Sequence, residues 1–386
     1  MILFLLVTMP SFADNKKLLD GHEYLPPPDI SMPKLHESYK DPVFGTNIQR
    51  ITSPSQIGRV SRIRHYYSKS NPFNADESRA IMHGSDGSIW LYDTTTWEPL
   101  DSLDVISSDP EIQWHPTDPD IFYHMDYVGN TSNVRGFYKY NIKTHKKKLL
   151  RDFPKYYTAR GRLEGNMDKN GRFYALIGKK DKIREGFVYD IINDKVSKRI
   201  QVPSSDWISV SPSGKYVVVM SDRSLIYDIE MNLLHELPRG TYGHADLCIG
   251  SDGEDYLVFD GADYQLDRNR NINIASLKTG KISKLVRIGW SSTPHVSCRN
   301  FDKPGWALIS TQGPDRKYPN HDFEIFWVRM DGSGEVQRVA HHHSSREYGG
   351  YFAEQHAVTN RSGTKIVFSS NWGKERVSDF LITLDP

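Results

Sequence analysis

The sequence predicts an all-β protein, a seven-bladed β-propeller built from four-stranded antiparallel blades. The first observation is a strand-turn-strand phrase that recurs at intervals of about 40 to 60 residues. The second is a composition of 21 Tyr, 16 Phe and 8 Trp, which favour half-buried strands, beside 28 Gly and 21 Pro, which favour turns. The third is a length of 386 residues without a linker. A chain of this length exceeds one compact core, so we expect many small cores side by side.

Seven copies of the phrase follow one another along the chain. They begin near residues 74, 115, 168, 209, 250, 301 and 360. The fourth copy, SVSPSGKYVVVMSDRSLIYDIEMNLLHEL, is the most regular, with period-2 alternation in YVVVM and a Gly turn between strands. The preceding segment GTNIQRIT is expected to supply an outer strand of the last blade and to close the ring. Six and eight blades are the alternatives, because the N-terminal portion is irregular.

The first 13 residues, MILFLLVTMPSFA, are predicted to be a signal peptide. The run is too short to span a bilayer as a helix, and it ends in the small-residue pattern Ser11-Phe12-Ala13. It lacks a positive charge before the apolar stretch, and the alternative is a buried N-terminal strand. The mature chain, residues 14–386, would be a single propeller domain that is secreted or periplasmic and has no membrane span.

Charge and motifs exclude several functions. With 49 basic and 48 acidic side chains the net charge is +1, which gives no bulk attraction to nucleic acid or a membrane surface. A phosphate loop, a Gly-x-Ser-x-Gly elbow and a His-Glu-x-x-His pattern are all missing from the sequence, which disfavours nucleotide chemistry and a serine hydrolase. Two cysteines, Cys248 and Cys298, are too few for a disulfide framework.

Histidines carry the strongest functional signal. Five of them lie just before or within the first strand of a copy: His65, His115, His244, His295 and His356. Because the first strands of all blades line one channel, we expect these residues to gather at one end of it. Each one alone is more simply explained as a hydrogen-bonded core or rim histidine, and the shared position is what favours a common site.

The second half of the chain offers a metal site formed by His244, His295, Cys298 and His356. Imidazole and thiolate together suit zinc. The oxygen donors of Glu354, Gln355 and Asp246 are alternative ligands. The run His341-His342-His343 is expected to be a solvated loop rather than a metal clamp.

The first half offers a catalytic set of His65, His83, Tyr127 and Arg162. Arg would neutralise a substrate carboxylate, while His or Tyr removes the neighbouring proton and another protonates the leaving oxygen. His124, Tyr157 and Asn166 are expected to bind substrate beside this set. For each tyrosine the competing interpretation is packing within a β protein.

Three segments, GHADL, HVSCRN and EQHAVTNRSGTKIVFSSNWG, together resemble propeller-type polysaccharide lyases. Two branches of these lyases are similar to the sequence, the ulvan lyases of marine bacteria and the oligogalacturonate lyases. The resemblance implies β-elimination at a uronate of a 1,4-linked acidic polysaccharide. It also implies a divalent metal.

The two branches imply different roles for the same residues. In the ulvan-like branch, which we favour, the metal is structural zinc, and His65, His83, Tyr127 and Arg162 carry the chemistry. The pectic branch implies manganese or calcium held by His295, Gln355 and His356. Here Glu354 departs from that pattern, because a further histidine is expected near its place. The predicted function is therefore a secreted, monomeric ulvan-like lyase. The alternatives are an oligogalacturonate lyase and a non-catalytic carbohydrate-binding or envelope scaffold.

Overall fold

The computed structural model describes residues 18–105, 111–161, 164–241, 243–262 and 270–385. Within them the chain forms seven antiparallel sheets of four or five strands, arranged as the blades of a β-propeller. The predicted fold class is confirmed. The predicted signal peptide and Arg162 lie outside the described residues.

The first three blades follow one another along the chain, and each starts with its innermost strand. Blade 1 consists of β3 (Ile63–Arg64), β4 (Arg79–Gly84), β5 (Ile89–Asp93) and β6 (Pro99–Ser102). Blade 2 consists of β7 (Gln113–Trp114), β8 (Ile121–Tyr127), β9 (Val134–Asn141) and β10 (Lys146–Asp152). Blade 3 consists of β11 (Thr158–Arg160), β12 (Phe173–Lys180), β13 (Ile183–Asp190) and the short outer strands β14 (Lys195–Val196) and β15 (Ile200–Gln201).

The next three blades repeat the same order. Blade 4 consists of β16 (Trp207–Val210), β17 (Tyr216–Met220), β18 (Leu225–Asp228) and β19 (Leu233–Glu236). Blade 5 consists of β20 (Ala245–Ile249), β21 (Asp255–Ala262), β22 (Arg270–Ser276) and β23 (Ile282–Arg287). Blade 6 consists of β24 (His295–Ser297), β25 (Trp306–Ser310), β26 (Glu324–Arg329) and β27 (Val336–His341).

Blade 7 joins the two ends of the chain. It contains β28 (Val358–Thr359), β29 (Lys365–Ser370) and β30 (Ser378–Thr383), followed by β2 (Asn47–Arg50) and β1 (Ser38–Lys40) at its outer edge. In β2, Ile48 pairs with Ile382 of β30. The expectation that GTNIQRIT closes the ring is therefore confirmed.

Helix is confined to short segments among the described residues. They are α1 (Arg346–Gly349) and the 3₁₀ turns Pro54–Gln56, Trp290–Ser292 and Gly350–Ala353. In the described part of the chain, every helix is too short to cross a bilayer.

Seven small hydrophobic cores lie between neighbouring blades, which explains how a long chain folds without one large core. Strand β17 shows the principle. Val217 and Val219 pack against blade 3, whereas Val218 and Met220 pack against blade 5. Because successive side chains of a strand point to opposite faces, each strand contributes to two cores.

Candidate functional site

Three histidines from blades 5, 6 and 7 meet where their innermost strands begin. His244 directly precedes β20, His295 is the first residue of β24, and His356 lies just before β28. The ring centroids of His244 and His295 are 4.2 Å apart, as are those of His295 and His356. Sequence-distant residues thus form one cluster because their blades place them at the same end of the channel.

Local backbone features hold two of these histidines in place. Gly243 has φ +129°, and a Cβ at this position would lie 2.3 Å from Asp260 Oδ1. That carboxylate accepts the backbone N–H of His244 at 2.5 Å, so only glycine allows the approach. His356 itself has φ +39°, a left-handed conformation that is uncommon outside glycine and concentrates at functional sites.

Glu354 completes a set of metal-ligand type. Its Oε2 accepts a hydrogen bond from His295 Nε2 at 2.8 Å and lies 3.8 Å from His356 Nε2. One ligand atom each from His295, Glu354 and His356 lies within 4.8 Å of the others, and all three residues are buried. We call these three residues the His–Glu cluster.

Unpaired buried atoms around the cluster support a fit to a divalent cation. His295 Nδ1, His356 Nε2 and Gln355 Nε2 have no hydrogen-bond partner among the described residues. Buried polar groups are seldom left unpaired away from functional sites. A cation would replace the proton that His295 and Glu354 share, and two imidazoles with a carboxylate are a common donor set.

Arg64 controls the state of His356. Its guanidinium donates from Nη1 to His356 Nδ1 at 2.6 Å, and Arg has no acceptor atom. Nδ1 is therefore the bare nitrogen, and Nε2 of the neutral ring carries the proton. A cation at Nε2 would displace that proton next to a fixed positive charge, so Arg64 opposes metal binding.

The cluster is electrically unusual because it is buried among cations. Burial lowers the pKa of His295 and His356 well below the ordinary histidine value, and neighbouring His and Arg64 charges lower it further. Burial raises the pKa of Glu354, although Arg346, His244 and Arg64 act in the opposite direction. Both histidines are therefore neutral near pH 7, and neutral imidazole binds a metal through the nitrogen that carries no proton.

Aromatic and cationic side chains surround the cluster. The Tyr67 ring lies 5.5 Å from His295 and 4.9 Å from His356, and the half-exposed Tyr351 ring lies 5.1 Å from His356. Arg346 Nε pairs with Glu354 Oε1 at 3.1 Å, and half of the Arg346 side chain is exposed. Such a rim provides stacking surfaces and a cation beside the cluster.

Cys298 is not available as a ligand, which corrects the expectation from the sequence. Its sulfur is bonded to Cys248, and the Cα atoms of the two residues are 5.0 Å apart. A disulfide sulfur is no thiolate, and only the thiolate is a strong metal ligand. Asp246, the alternative oxygen ligand, instead holds the Arg299 guanidinium through both carboxylate oxygens.

The structure does not bring the proposed catalytic set of the first half together. His65 is fully buried, with Nδ1 2.8 Å from Asp379 Oδ2 and Nε2 2.7 Å from the His356 carbonyl. With both ring nitrogens engaged it cannot act on substrate, which corrects that assignment. Tyr127 is the exposed last residue of β8, and Arg162 is outside the described residues.

His83 pairs with Arg64 across β3 and β4 of blade 1 and is not a member of the His–Glu cluster. It lines a small cleft between blades 1 and 2 with Tyr66 and Trp114, and its ring is 5.0 Å from that of Tyr66. Burial, with the Arg64 charge, lowers the pKa of His83 to about 3. A base with so low a pKa is a weak proton acceptor near pH 7.

The predicted substrate-binding residues also separate. His124 is buried between aromatic rings of blade 2, which corrects its assignment because no substrate can reach it. Tyr157 is half exposed beside Lys180. Asn166 and His115 line a cavity of about 110 Å³. Each of them lies after the innermost strand of its blade. His115 therefore follows its strand instead of preceding it.

In the triple histidine run, His341 and His342 are buried and His343 is partly buried, which corrects the expectation of a solvated loop. His342 Nε2 donates to the Thr311 carbonyl at 2.8 Å, and its Nδ1 accepts the backbone N–H of Ser344. His343 stacks on Trp372 with centroids 4.2 Å apart. His342 and His343 therefore contribute to the packing of blades 6 and 7.

Comparison with solved structures identifies similar folds. An oligogalacturonate lyase in complex with manganese superposes with a TM-score of 0.62 at 15% identity, over 92% of this chain and 97% of that one. The oligogalacturonate lyase of Vibrio parahaemolyticus gives 0.62 at 13% identity, over 90% and 96%. Hydrazine synthase of Kuenenia stuttgartiensis gives 0.52 at 12% identity, over 83% and 94%. No protein-family model and no curated protein matches the sequence. At these identities the likeness establishes the propeller fold.

Arg64, Tyr67 and Tyr351 were not singled out from the sequence, although they surround the cluster. Arg64 and Tyr67 lie one and two positions from His65. The sequence therefore indicated the correct segment but the wrong residue within it. Tyr351 belongs to the segment REYGGYFAEQH, whose density of aromatic and charged residues next to His356 was the available signal.

Proposed function

We propose that this protein is a metal-assisted lyase that cleaves uronate oligosaccharides of the oligogalacturonate kind by β-elimination. The observation that carries the proposal is the buried His–Glu cluster with half-buried His244 packed against it. The two oligogalacturonate lyase folds support this substrate over the ulvan-like one that the sequence favoured. The ulvan-like alternative relied on His65 and Cys298, whose side chains are engaged elsewhere.

His295, Glu354 and His356 would hold the divalent cation, with Gln355 beside them. A bound cation supplies positive charge that neutralises a uronate carboxylate and makes the neighbouring C5 proton more acidic. Manganese is our proposed cation, because one similar fold is a manganese complex and the sulfur that favoured zinc lies in a disulfide.

His244 is the proposed base. It is the least buried of the three histidines, and its Nδ1 has no hydrogen-bond partner among the described residues. Its backbone N–H donates to Asp260, which itself pairs with Arg270, so the backbone that carries the ring is fixed. A partly exposed imidazole whose backbone is fixed can take up the C5 proton.

Tyr351 is the proposed acid. Burial raises its pKa to about 12, so the phenol keeps its proton at neutral pH and can donate it. In the reaction the C5 proton passes to His244, and the C5–H electron pair forms the C4=C5 double bond. The C4–O4 bond breaks, and the leaving O4 takes a proton from Tyr351.

The rim would orient the sugar. Arg346 is half exposed beside Glu354 and can bind a carboxylate, while Arg62 lies 3.6 Å above the Phe352 ring. Phe352 is 43% exposed, so it leaves an apolar edge open to a sugar ring next to a cation. Positioning the uronate by these groups would align C5 with His244.

We further propose that the protein works outside the cytosol, secreted or in the periplasm. The Cys248–Cys298 disulfide supports this, because such bonds persist mainly in oxidising compartments. Cleavage of residues 1–13 would follow, and the N-terminus of the mature protein, measured by mass spectrometry, should be Asp14. An intact Met1 on protein from its native host would contradict export by this route.

The test of the function is the near-ultraviolet absorbance of an unsaturated uronate product. Purified protein with manganese should generate it from oligogalacturonates, and a chelator should abolish it until manganese is restored. The panel includes ulvan, alginate and glycosaminoglycans. If only ulvan gave the absorbance, the proposed substrate would be ulvan instead of oligogalacturonates. Binding without any product would favour a carbohydrate-binding scaffold.

A further inference from the structure

A second cleft lies at the same end of blade 6 as the His–Glu cluster. It has a volume of about 420 Å³ and is formed by the loop before β24 and the loop between β25 and β26. His295 and Ser310, the strand residues that these loops adjoin, pair across β24 and β25. Trp290, in the wall of the cleft, is 50% exposed.

The cleft carries an excess of positive charge. Arg287, Arg316 and Lys317 line it, against the single carboxylate of Asp315. Arg316 and Lys317 are exposed, and neither forms an ion pair within the described ranges. The Arg287 guanidinium lies 4.1 Å from the centre of the Tyr318 ring, which places a cation on an aromatic face.

The Asp315 carboxylate is used to hold the backbone of the two loops rather than to neutralise the cations of the cleft. It accepts backbone N–H groups of Ser291, Lys317 and Tyr318 at 2.7–2.9 Å. Burial alone would raise the pKa of Asp315, yet these hydrogen bonds hold it below the ordinary value. The carboxylate therefore joins the two loops and leaves the exposed Arg316 and Lys317 facing the cleft.

The same loops reach the His–Glu cluster. The Gln312 backbone N–H donates to the Ser292 carbonyl, and the Gln312 side chain donates to Gln355 Oε1. Ser292 also donates to Asp322 Oδ1 at 3.0 Å. One hydrogen-bonded network thus connects the cleft with the residue between Glu354 and His356.

We propose that this cleft is a subsite for a further uronate of the oligosaccharide cleaved at the His–Glu cluster, and the proposal rests on that proposed function. Trp290 stacks against a sugar ring, and Arg316 and Lys317 attract its carboxylate. A rigid aromatic platform with cations at its edge suits an acidic sugar, and its position beside β24 lets one chain reach both sites. The subsite therefore selects for oligomers longer than the dimer.

The experiment compares di-, tri- and tetragalacturonate with full-length protein. The variants are Trp290→Ala and R316A/K317A, and K146A/K148A on the outer strand of blade 2 is the charge-matched control. Affinity is measured by calorimetry in a His244→Ala background, and kcat and KM are measured in the otherwise wild-type protein. We expect about tenfold weaker binding and higher KM for the tetramer in both variants, with kcat and dimer binding unchanged. R316A/K317A should also lower the salt dependence of tetramer binding.

Two results with the variants would overturn the subsite. One is equal loss for dimer and tetramer, and the other is a loss in the K146A/K148A control as large as in R316A/K317A. Tighter, Trp290-dependent binding of polyphosphate or single-stranded DNA than of tetragalacturonate would also overturn it. Length-dependent binding that needs Trp290, without any cleavage, would support the subsite and refute the proposed lyase activity. Thermal unfolding of each variant confirms that it is folded.

Discussion

The late blades and the early blades use their histidines differently. His244, His295 and His356 stand where innermost strands begin, and their rings touch across three blades. His65, by contrast, follows its strand and is engaged on both ring nitrogens, and His124 is buried within blade 2. Whether a propeller histidine joins the cluster or packs between strands thus depends on which strand of the blade it belongs to and on its place along that strand.

The largest expected difference between the two regions concerns replacing His244 of the late blades and Tyr127 of the early blades. His244→Ala should lower kcat by about 10²–10⁴-fold, because proton abstraction loses its base. Tyr127→Phe, on the exposed end of β8, should leave kcat near wild type. Steady-state absorbance kinetics on oligogalacturonates measure both. Loss of activity in Tyr127→Phe with normal rates in His244→Ala would return the chemistry to the early blades.

A second test concerns the disulfide that joins blades 5 and 6 beneath His244 and His295. Cys248 and Cys298 are separated by 50 residues, and cross-linking a loop of this length contributes about 4 kcal/mol to the free energy of unfolding. Urea unfolding of Cys248→Ser/Cys298→Ser should show a loss of this size. Reducing agent should destabilise the wild type and leave the variant unchanged. A variant as stable as the oxidised wild type would show that the late blades need no covalent link.

A third test concerns the arginine that connects the two regions. Arg64 of blade 1 donates to His356 Nδ1 and adds positive charge beside the cluster. Arg64→Gln removes the charge and allows Nδ1 to carry the proton, so manganese should bind about 10–100-fold more tightly. Arg79→Gln, which alters an ion pair with Asp93 elsewhere in blade 1, is the control. Weaker manganese binding in Arg64→Gln, measured by calorimetry, would refute the inferred His356 tautomer.

The smallest expected effect lies in the pH dependence of stability. Burial lowers the pKa of His124 to about 4, while the unfolded chain binds the same proton near the ordinary value of about 6.5. Unfolding free energy should therefore be fully retained above pH 6.5 and fall on acidification towards pH 4, with a slope from this residue of up to about 1.4 kcal/mol per pH unit.

His124→Phe should remove that slope without changing activity, since its aromatic neighbours Phe122 and Tyr138 accept a phenyl ring. Urea unfolding at several pH values measures it. An unchanged slope would mean that His124 does not titrate in this window, and lost activity would assign it a role at the site.

The fold was predictable because period-2 alternation and Gly turns repeat in each blade, and β17 shows why, since its two faces belong to two cores. The meeting of His244, His295 and His356 followed from their shared place before an innermost strand. The disulfide was not recognised, although Cys248 and Cys298 follow His244 and His295 at nearly equal distances in neighbouring blades.

Other parts of the site depend on information that a single sequence does not carry. Arg64 reaches His356 across the join between blades 7 and 1, a contact between residues 292 positions apart. The burial of His341 and His342 depends on packing between blades, which a run of three polar residues does not reveal. His65 follows its innermost strand, whereas the cluster histidines precede or begin theirs, a shift of only two to four residues that the sequence pattern does not show.

Anomalous diffraction from a crystal of the full-length protein soaked in manganese tests directly whether the His–Glu cluster binds the metal. We expect a peak between His295, Glu354 and His356, within bonding distance of their ligand atoms, and its loss in Glu354→Ala crystals treated in the same way. A manganese peak among early-blade residues, or an empty His–Glu cluster at saturating manganese, would contradict it.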